Sequence, residues 1–133
     1  MKFSELTIGQ TASKTVHITS EMINGFADIT GDHNPLHIDP AYAEPRFGGV
    51  IAHGVLLLGF FSALLATDLP GPGSVARALN VRFKSPAHPG DDVRIEVTIV
   101  ELIPRIRKVV LEGRAFVGDR VLLQISAETL LEE

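Results

Sequence analysis

Val55-Leu56-Leu57-Leu58-Gly59-Phe60-Phe61-Ser62-Ala63-Leu64-Leu65-Ala66 carries no charge on any face. A helix that is apolar all round is either enclosed by protein or spans a membrane. These twelve residues are too few for a bilayer, which needs about 20. The stretch therefore predicts a central helix surrounded by protein. Pro70-Gly71-Pro72-Gly73 ends it.

The chain beyond this helix reads as strand. Residues 75 to 85 form one run. Residues 92 to 102 alternate, with Val93, Ile95, Val97 and Ile99 on one face and Arg94, Glu96 and Thr98 on the other. Residues 106 to 117 and 120 to 131 come next, with Val121, Leu123, Ile125 and Ala127 sharing a face. Gly118-Asp119 is a two-residue hairpin signal, and Pro104 marks another tight connection. Such short links imply a mainly antiparallel sheet, joined by an early strand near 14 to 18. Before the central helix, residues 20 to 30 form a helical stripe of Met22, Ile23, Phe26, Ala27 and Ile29. Thr19 or Ser20 is its N-cap and Gly31 its stop. A short helix over 39 to 43 begins at Asp39 and Pro40. The expected class is α+β, an antiparallel sheet curled around one apolar helix.

The composition narrows the function. The chain has 133 residues, read as a single domain over 1–133, with 45% hydrophobic and 21% charged residues. Its formal net charge of −4 argues against nucleic acid as a partner. The absence of cysteine removes a disulfide framework, a thiolate nucleophile and cysteine-ligated zinc. The opening Met1-Lys2-Phe3-Ser4-Glu5-Leu6 has an early acid and no apolar core, so no secretory signal is expected there. A cytoplasmic protein without a membrane segment is the expectation.

The chemistry concentrates in Thr30-Gly31-Asp32-His33-Asn34-Pro35-Leu36-His37-Ile38-Asp39. Pro35 pushes Asn34 out of helical dihedrals and forces a turn. That turn can bring the Asp32 carboxylate and the His37 imidazole to one site. The two would share a water as an acid/base pair near neutral pH. The plainer alternative is a capping Asp32 and a surface His37.

The layout and motifs together resemble the hot-dog fold, and more narrowly the MaoC-like (R)-specific enoyl-CoA hydratases. The likeness rests on Gly31-Asp32-His33-Asn34-Pro35-Leu36-His37-Ile38-Asp39, on Ile51-Ala52-His53-Gly54-Val55-Leu56-Leu57 with Ser62, and on Arg82-Phe83-Lys84-Ser85-Pro86 with Pro89-Gly90-Asp91. It implies reversible hydration of trans-2-enoyl-CoA to (R)-3-hydroxyacyl-CoA, an acyl-CoA thioester as substrate, no cofactor and a homodimer. It makes Asp32 and His37 catalytic. Which of them deprotonates water is left open, since a coupled pair titrates as a unit.

Other residues take roles beside that pair. Gly54 opens the apolar helix, where unpaired N–H groups and close backbone approach suit a developing oxyanion. It would also serve plain packing. Ser62 is the only polar residue in the apolar run; alone it reads as bonded to the carbonyl four residues back. The resemblance makes it an orienting partner for Asp32 and His37. Leu65, three residues beyond Ser62, would then face the acyl chain. Asn34 is a turn former or a hydrogen-bonding member of the site. His53 reads as structural. His33 and His37 have metal-pair spacing, but Pro35 between them prevents a regular helix, so no metal is expected. His17 and His88 are expected at the surface. Arg77, Arg82, Lys84, Arg105, Arg107 and Lys108 are candidate CoA-phosphate contacts. Competing readings are an acyl-carrier-protein dehydratase, a non-catalytic acyl-CoA-binding module and a hot-dog thioesterase. The pathway, polyester precursor supply or fatty-acid metabolism, is not legible.

Overall fold

The structure, a computed structural model, describes residues 1–133. Strand β1 (Thr11–His17) is followed by helices α1 (Ser20–Thr30), α2 (Pro35–Ile38), α3 (Pro40–Phe47) and α4 (Gly54–Thr67). Strands β2 (Ser74–Phe83), β3 (Asp92–Ile103), β4 (Lys108–Val117) and β5 (Arg120–Leu131) complete the chain. The five strands make one sheet in the order β1-β3-β4-β5-β2, every pair antiparallel.

Local chemistry explains the boundaries. The Thr19 side chain accepts from the Met22 amide at 3.1 Å and starts α1. Gly31, at φ 80°, adopts the left-handed cap that ends it. Asp39 caps α3 by accepting from the Ala41 and Tyr42 amides. The sequence predicts that helix over 39 to 43, but it runs to Phe47, with Pro45 inside it. The segment predicted as a turn is the one-turn helix α2. Gly118 and Asp119 do form the expected two-residue connection, with Val117 paired to Arg120.

The period-2 reading holds on β3, and on β5 for Leu123, Ile125 and Ala127, but a register shift at the start of β5 buries Leu122 and leaves Val121 half-buried. Val93, Ile95, Val97 and Ile99 are all fully buried, as are Val109, Leu111 and Ala115 on β4. Against this face α4 lays Leu57, Phe61, Leu64 and Leu65. Gly113 makes the closest approach possible. A Cβ there would meet the Phe61 ring and lie 2.6 Å from the Glu96 carbonyl oxygen. The missing side chain is the notch in which Phe61 rests. Three register shifts, one each in the β2–β5, β3–β4 and β4–β5 pairings, help bend the sheet about the helix. The arrangement is the expected hot-dog fold.

One expectation needs correction. The helix α4 is not enclosed on every side. Val55, Gly59, Ser62, Ala63 and Ala66 form an exposed stripe, and Val55 is 56% exposed. The edge strand β2 is likewise largely uncovered, with Val75, Leu79 and Phe83 exposed. No helix is long and apolar enough to cross a membrane.

Candidate active site

The loop between α1 and α2 builds the site. Asp32 follows the Gly31 cap, and its Oδ1 accepts from the Asn34 amide at 3.3 Å. Asn34 Oδ1 in turn accepts from the Leu36 amide at 3.1 Å and caps α2, with Pro35 in the first position. Asn34 is thus a helix cap through its oxygen. His37, one turn on, comes to the same place. One Asp32 carboxylate oxygen and one ring nitrogen each of His37 and His53 lie within 4.8 Å of one another.

The hydrogen bonds assign the tautomers. His37 Nδ1 lies 2.7 Å from the Ile51 carbonyl oxygen. A carbonyl only accepts, so Nδ1 carries the hydrogen in the neutral ring and Nε2 keeps its lone pair. His53 Nε2–H donates to the Asp32 carbonyl at 3.1 Å. The His37 and His53 rings stack, centroids 3.8 Å apart at 27°, and Phe26 packs on His53 at 4.7 Å. His37 Nδ1 and His53 Nε2 are thus both taken up by backbone carbonyl oxygens.

The segment Ile51–Gly54 is fixed from both sides. Ile51 N–H donates to the Leu36 carbonyl at 3.0 Å, and Ala52 N–H to the Ala87 carbonyl at 2.8 Å. Gly54 then opens α4, ahead of the first bond from Leu56 N–H to His53 O at 3.0 Å. Its amide belongs to the helix end that has no intrahelical partner. Gly54 and His37 both line a largely apolar cavity of about 430 Å³, walled also by Phe47, Val55, Leu57, Phe83 and Leu123. A Cβ at Gly54 would lie 2.5 Å from two atoms of the Phe83 ring.

Asp32 and Asn34 are thus drawn to His37, and His37 lines the cavity with Gly54, whereas Asp32, Asn34, Ser62 and Leu65 lie outside its lining. Ser62 is exposed on the open face of α4 and does not bond the carbonyl four residues back. Leu65 is only 3% exposed and belongs to the core. His33 turns away to Asp28, 3.1 Å from its carboxylate. That hydrogen bond holds the His33 imidazole above its ordinary value. Lys84 alone of the six basic candidates lines the cavity. Lys108 pairs with Glu128, Arg107 donates to the Leu131 carbonyl at 3.1 Å, and Arg82 lines a separate polar groove of about 600 Å³. His17 is exposed as expected and pairs with Asp92 at 2.7 Å. Sequence reasoning missed the Ile51 carbonyl and Phe83. Both lie in the motifs that carry the resemblance, but sequence reasoning gives neither a role, since one acts through its backbone and the other arrives on a distant strand.

Comparison with known proteins places the chain in a family. Residues 4–117 match the model of the MaoC like domain. The chain is 42% identical to a 3-hydroxybutyryl-CoA dehydratase of Methylorubrum extorquens, over 91% of this chain and 78% of that one. It is 35% identical to an (R)-specific enoyl-CoA hydratase of Rhodospirillum rubrum, over 97% and 90% of the two chains. The solved (R)-hydratase from A. caviae involved in PHA biosynthesis superposes with a TM-score of 0.92 at 35% identity, covering 96% of this chain and 98% of that one. The chain belongs to the MaoC-like domain family.

Proposed function

We propose that this chain is an (R)-specific enoyl-CoA hydratase, a hydro-lyase that reversibly adds water to trans-2-enoyl-CoA. The observation that carries the reading is that the Asp32 carboxylate meets the His37 imidazole, while His37 and the Gly54 helix end line one apolar cavity. An enoyl thioester is electrophilic at C3. Water held between Asp32 and His37 loses a proton to the pair as its oxygen bonds to C3. The electron pair of the double bond moves toward the thioester carbonyl, and its oxygen becomes negative. The Gly54 N–H is directed at that oxygen. The pair then returns a proton to C2, so the sum is one water added. The apolar walls formed by Val55, Leu57 and Leu123 suit the acyl chain.

Supporting roles complete the reading. Asn34 orders the loop that carries Asp32. Leu65 packs in the same core cluster as Leu57 and Leu123, so truncating it would open space toward the acyl walls. A homodimer is part of the proposal. The exposed stripe on α4 and the uncovered edge strand β2 both border the cavity, through Val55 and Phe83. Unpaired edge strands and contiguous apolar faces are normally covered, and a second copy would do both in a closed two-fold pairing. Ser62 would then face the partner side of the site, which is where an orienting role would be exerted. One domain over residues 1–133, working in the cytoplasm, belongs to the same reading.

The test is consumption of crotonyl-CoA together with release of free CoA. Loss of the enoyl thioester without CoA release supports the hydratase. CoA release would instead mark a thioesterase, and neither event would mark a binding module. Running crotonyl-CoA against crotonyl-acyl-carrier protein separates the two carriers. Sedimentation should give twice the chain mass of 14.4 kDa, or a multiple of that dimer. An active, strictly monomeric species would refute the dimer.

A further inference from the structure

His53 is 2% exposed, and its Nδ1 has no hydrogen-bond partner. A buried polar atom without a partner costs stability and calls for an explanation. A phenylalanine would fill an apolar space beside Phe26 without that cost. What the imidazole adds is one contact, from Nε2–H to the Asp32 carbonyl at 3.1 Å. Asp32 is exposed, so water would otherwise serve that carbonyl. A neutral hydrogen bond replacing a solvated one gains little. The contact therefore does not repay the orphaned nitrogen in stability, and its value lies in geometry.

Asp32 stands between α1 and α2, outside any regular element. Its carboxylate is turned by the Asn34 amide, and its backbone carbonyl is tied down by His53. The same imidazole stacks on His37, whose other constraint is the Ile51 carbonyl. His53 also immediately precedes Gly54, and its backbone carbonyl accepts the first amide bond of α4. One residue thus touches both members of the acid/base pair and opens the helix that presents the Gly54 amide.

We propose that His53 is a positioning residue for the Asp32–His37 pair, acting through its Nε2–H bond to the Asp32 carbonyl. The inference rests on the hydratase reading. His53 does not transfer a proton to substrate; it sets where the Asp32 carboxylate stands relative to His37 Nε2 and the water between them.

Two substitutions separate the contacts. His53→Gln keeps an N–H donor at the reach of Nε2 and removes the ring. His53→Phe keeps a stacking ring and removes the donor. Crotonyl-CoA hydration is measured for both and for the unaltered protein, with circular dichroism and a thermal melt on each. His53→Phe should lower kcat by about tenfold to a hundredfold with KM changed by no more than about twofold, as expected for a misplaced reacting group. His53→Gln should restore kcat to within about threefold of the unaltered protein. If His53→Phe does not fold, His53→Asn, whose amide stops short of the Asp32 carbonyl, takes its place. Undiminished kcat in the variant lacking the donor would overturn the proposal. So would equal losses in the Gln and donor-free variants, or a loss carried by KM. An unaltered protein that leaves crotonyl-CoA unchanged would overturn the hydratase reading itself, a distinct outcome.

Discussion

Gly54→Ala tests the oxyanion role through a single methyl group. The new Cβ would lie 2.5 Å from Cδ1 and Cε1 of Phe83. Carbon atoms pack best at about 3.5–4.0 Å, so the ring must retreat by roughly 1 Å or more. Phe83 ends the edge strand β2 and is 57% exposed, so it can swing into solvent. Gly54 also has ordinary helical backbone, where alanine gains about 0.4–1 kcal/mol over glycine. The two effects oppose each other, and the melting temperature should move little. Activity should respond very differently. An oxyanion donor works at about 2.7–3.1 Å, and a methyl on the cavity wall keeps the thioester oxygen from closing to that range. The expected loss is about 10²–10³-fold in kcat, or about 2.7–4 kcal/mol of barrier. The assay is initial-rate hydration of crotonyl-CoA, with folding followed by circular dichroism. Phe83→Ala and the double variant serve as controls. If the loss came only from the displaced ring, Phe83→Ala alone would reproduce it and the double variant would be no worse. A folded Gly54→Ala with near-full kcat would refute the reasoning.

Asp32→Asn and His37→Gln should each lower turnover of crotonyl-CoA by at least about a hundredfold, the low end for acid/base catalysis, with unchanged circular dichroism. Near-full activity in either would sink the proposed pair. Leu65→Ala should cost about 2–5 kcal/mol in denaturant unfolding, as for a buried leucine, and shift preference toward longer enoyl chains. Unchanged relative rates on four-, six- and eight-carbon substrates would refute its link to the acyl walls, since even one methylene in an apolar pocket is worth about tenfold or more. Gly113→Ala should destabilise by about 1–3 kcal/mol or more, because neither Phe61 nor the Glu96 carbonyl can yield. A wild-type melting temperature would show that the notch is not needed.

The proximity of Asp32 and His37 is legible in the sequence because its cause is local. Asn34 and Pro35 open the one-turn helix α2, and that turn brings His37 to Asp32. The tautomers are not legible, because their partners are remote. Ile51 lies 14 residues beyond His37, and His53 lies 21 beyond Asp32. Strand β3 is readable from alternation alone, since one face of the sheet is buried there and a register slip would invert it. Phe83 over Gly54 is not readable, because it depends on which edge β2 takes. Pairing with β5 rather than β3 puts that strand beside the helix start.

The separation of Ser62 and Leu65 onto different faces of α4 has a specific physical cause. Residues three apart on a helix are neighbours, so helical spacing gives the two one environment. Neighbouring positions still straddle a boundary where a helix passes from a covered face to an open one. On α4 that boundary runs between them: Leu65 joins Phe61 and Leu64 on the sheet, while Ser62 joins Gly59, Ala63 and Ala66 in the open. An ordinary amphipathic helix marks this boundary with a change from apolar to polar residues. Here both sides are apolar, so the sequence carries no such mark of it. Yet beyond Val55 the open stripe differs from the buried one in size, with Gly59, Ser62, Ala63 and Ala66 against Leu57, Phe61, Leu64 and Leu65. Small side chains let another backbone approach closely, whereas large ones fill a core. Graded sizes of this kind suit the proposed homodimer, in which the chain's own sheet would cover one face of α4 and a second copy the other.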